Sequence, residues 1–82
     1  MTVISTTSTT TLLVGVFRDA LGLPEAEADS DFFECGGDSL SAFQITARLQ
    51  EALGVEVPVA LVFAYPTPGE LAEVVETDFL QG

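Results

Sequence analysis

The stretch Asp31 to Phe43, DFFECGGDSLSAF, sets Ser39 behind two glycines and an aspartate, at the threshold of a run with helical spacing. Stepping about 100° per residue from Ser39, the apolar residues Ala42, Ile45, Leu49 and Leu53 fall within about 80° of each other. Gly54 then supplies a stop. This predicts a helix over 39–53 whose first turn begins at the serine, with either Asp38 or Ser39 satisfying the orphan amides there. Leu40, Phe43 and Ala47 gather on nearly the opposite side. Either this helix is packed all round, or the second stripe is a docking surface. So short a chain has little left to cover a second face, so Phe43 is expected to be substantially exposed.

Upstream of this stretch, residues 1–10 are Ser/Thr-rich without apolar periodicity and read as a flexible leader ending in a cap near Ser8 to Thr10. From about Thr11 the positions Leu13, Val14, Phe17, Ala20 and Leu21 recur at helical spacing, and Gly22 with Pro24 ends the run. Residues 23–37 form a long acidic loop, with Phe32 and Phe33 as the aromatics expected to pin it. Downstream, residues 55–58 read as extended and 59–63 as one short helical turn. In PTPGE, Thr67 at N-cap, Pro68 at N1 and Glu70 at N3 open a last helix with Leu71, Val74 and Val75 as its buried stripe. The sum is an all-α fold, a small four-helix bundle of three longer helices and a short third one, with a long first loop. One folded domain over 11–78 and a C-terminal tail over 79–82 are expected.

The chain has 82 residues, 48% of them apolar, enough for one small core and too many for a disordered acidic tail. Its longest apolar run is too short to span a bilayer, and no signal peptide opens it. A single cysteine excludes an internal disulfide and suits a reducing cytoplasm. Thirteen acidic residues against two basic ones give a net charge of −11, which repels phosphate backbones and anionic lipid and steers toward basic patches on other proteins. Neither nucleic acid nor a membrane is an expected partner.

Three roles are open to Ser39. GDSLS (37–41) also opens a large family of serine hydrolases, but a serine nucleophile needs a base, and there is no histidine in the chain. Metal sites fail too. Asp29 and Asp31 begin like a calcium loop, yet Phe33 and Glu34 occupy its next ligand and glycine positions, and one cysteine without histidine cannot build a zinc site. Capping alone leaves the glycine pair and the second apolar face unexplained. An attachment point uses everything: free amides and a positive dipole end suited to a phosphate, and Gly36 and Gly37 clearing an approach for another protein.

The chain resembles the phosphopantetheine-dependent carrier proteins, of the peptidyl type used in nonribosomal peptide synthesis. DFFECGGDSL matches that family's FFELGGDSL, with Cys35 in place of the usual leucine. ALGL (20–23), ARLQEALGVEVPVALVF (47–63) and YPTPGELA (65–72) follow in the family's order. The resemblance implies an acyl-carrier-protein-like fold in which Ser39 bears 4′-phosphopantetheine, installed from coenzyme A by a phosphopantetheinyl transferase. Asp38 and Leu40 flank it in the motif that the transferase reads. It further implies a non-catalytic carrier whose arm holds an aminoacyl or related acyl group as a thioester for adenylating (loading), condensation and tailoring enzymes.

Phe43 and Ala47 fall at the family's partner-facing positions, and Val62 and Phe63 lie in the short helix bordering that surface, with core packing as the alternative, favoured for Phe63. Arg48 matches the family pattern, though a solvated helix face explains it equally well. Cys35 reads as a small buried hydrophobe rather than a reactive thiol. A free-standing cytoplasmic monomer is expected, with a domain excised from a larger synthase as the alternative. An acyl carrier of a polyketide or fatty-acid pathway, or a plain acidic interaction module, are the competing functions.

Overall fold

The structure, a computed structural model, describes residues 6–80. Helix α1 (Thr6–Leu21) packs on α4 (Pro68–Val75) and on α2 (Ser39–Leu53), and the short α3 (Ala60–Ala64) leans on α2. No strand occurs among the described residues. Three of the boundaries have a local cause. Gly22 takes a left-handed φ of 66°, and the Leu23 amide reaches back to the Arg18 carbonyl at 3.1 Å, a Schellman stop. Gly54 ends α2 with φ 70° and its amide on the Gln50 carbonyl. Thr67 caps α4, accepting the Glu70 amide at 3.1 Å and donating its hydroxyl to the Glu70 carboxylate at 3.0 Å.

The core is built from Leu13, Val16 and Phe17 of α1, Ala42, Ile45 and Leu49 of α2, Val62 of α3, Leu71, Ala72 and Val75 of α4, and two loop residues, Phe32 and Val57. Burying these side chains, at about 1.5–3 kcal/mol for each large one, supplies the main drive to fold. The stripes are those expected with small shifts: Leu53 and Val74 are half-buried, while Val16 and Ala72 are in the core.

Three expectations need correction. Helix α1 begins at Thr6, so residues 6–10 are helical rather than a leader; residues 1–5 lie outside the described part. The cause is tertiary. Thr9 is buried, and its hydroxyl donates to the Glu76 carboxylate, tying the start of α1 to the end of α4. At the other end, Glu76–Leu80 forms a π-helical turn with Phe79 packed on the core, so part of the expected tail is structured; residues 81–82 lie outside the described part. Finally, only one of the two loop phenylalanines is a pin. Phe32 is fully buried, its amide donating to the Pro66 carbonyl at 2.7 Å, whereas Phe33 is 52% exposed.

Candidate functional site

Ser39 is the first residue of α2 and is exposed. Asp38 before it is the N-cap, in extended conformation, and its Oδ1 accepts from the Ser41 amide at 2.9 Å and the Ser41 hydroxyl at 3.0 Å. The capping role left open between the two residues therefore belongs to Asp38, and the serine hydroxyl is not consumed in it. The Ser41 amide first, and its hydroxyl second, hold the Asp38 carboxyl below its ordinary value. A carboxylate so stabilised is a weak base, and its bonded oxygen is committed to Ser41.

The loop that delivers Ser39 is a chain of tight turns. Asp31 Oδ1 accepts from the Phe33 and Glu34 amides at 2.8 and 3.2 Å, and the Cys35 amide donates to the Asp31 carbonyl at 2.9 Å. Gly36 then adopts φ 82°, a conformation that favours glycine. The Gly37 amide returns to the Phe32 carbonyl at 2.9 Å, and a Cβ at Gly37 would sit 2.5 Å from the Phe32 ring. Gly36 and Gly37 thus have internal reasons: a turn, and contact with the buried ring. The expectation that they clear a path for another protein is not needed to explain them. Cys35 is half-buried.

Around this tip, Leu40 is 66% exposed and Phe43 59%, and Ala47 is exposed beside them. The second face of α2 is therefore bare. Phe63 stands 39% exposed, against the expectation of core packing, whereas Val62 is fully buried and has no place on the surface. A single helical turn can present only one of two successive side chains to the core, and Val62 takes that side. Two surface aromatics were missed. Phe33, read as a pin, lies stacked on Phe63 with ring centroids 5.9 Å apart at 23°, and Tyr65 is 38% exposed. Adjacency of Phe32 and Phe33 in a turn was the available signal, since neighbours there diverge. Arg48 pairs with Asp19 at 3.1 Å with both side chains largely exposed, consistent with a solvated face. Among the described residues no group of His, Cys, Asp and Glu could hold a metal ion, and no helix is long and apolar enough to cross a membrane.

The family model for the phosphopantetheine attachment site matches residues 11–75. The nonribosomal peptide synthetase CymA of Salinispora arenicola is 46% identical over 63 residues, which cover 77% of this chain and only 1% of that protein. A solved nonribosomal peptidyl carrier domain superposes with a TM-score of 0.74 at 33% identity, covering 89% of this chain and 91% of the other. A peptidyl carrier protein solved with the transferase Sfp and coenzyme A gives 0.81 at 30% identity, covering 93% and 99%. The four-helix fold, the serine at the tip of α2 and these likenesses converge: the chain belongs to the phosphopantetheine attachment-site family and is a carrier of the peptidyl type.

Proposed function

We propose that Ser39 is the attachment residue and that the domain itself catalyses nothing. One observation carries this reading: the serine is exposed at the first position of α2 while Asp38 does the capping, which leaves its hydroxyl for a partner enzyme. The fit to 4′-phosphopantetheine is physical. A phosphodiester on Ser39 would sit at the amide-rich, positive end of a 15-residue helix. Attachment would join the serine oxygen to a phosphorus of coenzyme A and release the nucleotide half, with the transferase taking the hydroxyl proton. When bound, the arm supplies a thiol that carries an aminoacyl or related acyl group as a thioester. The absence of histidine and the weak basicity of Asp38 support a non-catalytic role.

Partner enzymes would dock on the apolar strip of Leu40, Phe43 and Ala47, with Phe63 at its border and Asp38 and Leu40 read by the transferase. Val62 would act from beneath, by holding α3 in position. The expected partners are a phosphopantetheinyl transferase, an adenylating enzyme that loads the thiol, and condensation or tailoring enzymes that use the cargo. Intact mass after incubation with coenzyme A and a broad-specificity transferase tests the assignment. Wild-type protein gains the mass of the arm and Ser39→Ala gains nothing. A folded wild-type chain that stays at its original mass refutes it.

A further inference from the structure

We propose that the groove between α1 and α2 is a second docking site, which takes an arginine- or lysine-bearing helix of a partner protein. Gly15 is the one glycine among the described residues for which the fold gives no reason. Gly22, Gly36 and Gly54 hold left-handed conformations, a Cβ at Gly37 would strike the Phe32 ring, and one at Gly69 would crowd the Ala28 carbonyl oxygen at 3.3 Å. Gly15 stands in the interior of α1 without a positive φ, and a Cβ there would meet nothing within 4 Å. Apart from proline, no residue suits a helix interior less. Bare backbone at such a place admits close approach from outside the domain.

Gly15 lines a groove of about 490 Å³ between the two helices, with Leu12 and Val16 of α1 and Ala52 of α2 supplying apolar surface. Two adjoining helices leave a furrow in which a third can pack. Arg48 and Asp19, which also line it, bridge the helices at 3.1 Å. Glu51 is exposed there, and its carboxylate has no hydrogen bond or ion pair among the described residues. An arginine or lysine suits both parts of this surface, its methylene stem lying on the apolar lining and its charged head at Glu51. A second copy of the chain is the poorer occupant, since it brings the same net charge of −11. The groove also continues the strip proposed for partner enzymes, because Ala47 and Glu51 are four apart on α2 and so are surface neighbours. It opens at Arg48, roughly 13.5 Å along the helix axis from Ser39.

The test uses the full chain without its arm, isotope-labelled, and one probe: a helical peptide of alanine and leucine with arginine at every fourth position. The control peptide carries glutamine in place of arginine. Backbone amide shifts in an NMR titration should be largest over residues 11–19 and 48–52. Glu51→Gln should weaken the arginine peptide about threefold, the worth of one exposed ion pair, and leave the glutamine peptide unchanged. Gly15→Leu, which fills the groove, should weaken both at least tenfold, while Gly15→Ala should melt at or above the wild-type temperature. If Gly15→Leu misfolds, the shift map and Glu51→Gln decide alone. Shifts centred on the acidic loop over 23–37, an affinity unchanged in Glu51→Gln, or a lowered melting temperature in Gly15→Ala would overturn the site. No arm is attached in this experiment, so its failure leaves the Ser39 assignment standing, and a chain that accepts no arm leaves the groove standing.

Discussion

Gly37→Ala is the substitution whose effect the structure fixes most closely. The backbone there is not in the left-handed region, so alanine can adopt it without strain. What opposes it is space. Its Cβ would meet three atoms of the Phe32 ring at 2.5, 2.5 and 2.6 Å, where real contacts essentially never fall below about 3 Å. The ring cannot step aside cheaply, because it is fully buried, abuts Phe17, and belongs to a residue tied to Pro66 and Gly37 through its backbone. Overpacking of this kind costs about 1–3 kcal/mol. The restricted unfolded chain returns about 0.4–1 kcal/mol of that. A net loss of about 1–2 kcal/mol remains, a fall in Tm of roughly 5–15 °C for a domain this size.

Circular dichroism melts of wild type and variant measure it. Because the clash is with one ring, Phe32→Leu should relieve it. The double variant should then be more stable than the sum of the single losses by at least about 1 kcal/mol. Gly36→Ala is the contrast. It has open space but φ 82°, so its loss of about 1–2 kcal/mol comes from the backbone and should show no such coupling to Phe32. A Gly37→Ala protein melting within about 2 °C of wild type would show that glycine is not there to admit the ring.

Phe43→Ala should leave stability within about 0.5 kcal/mol, because that ring is largely in solvent, while raising the KM for transferase or loading enzyme. Val62→Ala should instead lower the melting temperature, being a cavity in the core next to α2, and an unchanged melt would contradict its burial. The Asp38 carboxyl is held low in the folded state, so its contribution to stability is present above the unfolded carboxylate value and is lost as pH falls through the folded one. Asp38→Ala should therefore melt lower than wild type at neutral pH, with the gap narrowing in acid. A gap that stays constant down to the acid limit of folding would refute the capping assignment.

The helices and the serine were legible because they depend on local rules. Periodicity placed Ala42, Ile45 and Leu49 in the core, Gly54 closed α2, and the PTPGE start of α4 is a cap that sequence alone spells out. What escaped depends on contacts far apart in the chain. Nothing around Thr9 announces that its hydroxyl meets Glu76, 67 residues on, so residues 6–10 could not be read as helix from their composition. Phe32 and Phe33 are chemically identical neighbours, and only the turn at Asp31 and the position of α3 decide which ring goes inward. The same limit applied to Val62 and Phe63. One five-residue helix offers no periodicity from which to choose a buried face, and the choice fell to packing against α2.

On the proposed function, the distribution of charge and apolar surface would divide the work of recognition. The two cations of the chain are engaged internally: Arg18 Nε donates to the Ala26 carbonyl at 2.7 Å, and Arg48 pairs with Asp19. Thirteen carboxylates can attract basic surfaces from beyond contact distance, but such a field is screened within about 8–10 Å at physiological salt and does not distinguish one basic protein from another. On the proposed docking surface, selection would then fall to short-range fit at Leu40, Phe43 and the exposed Phe33–Phe63 pair, where shape and desolvation discriminate. A carrier visited by several enzymes gains from this division. In the proposed role, the shared acidic field would speed every encounter, while each partner would engage its own part of the apolar strip beside the same serine.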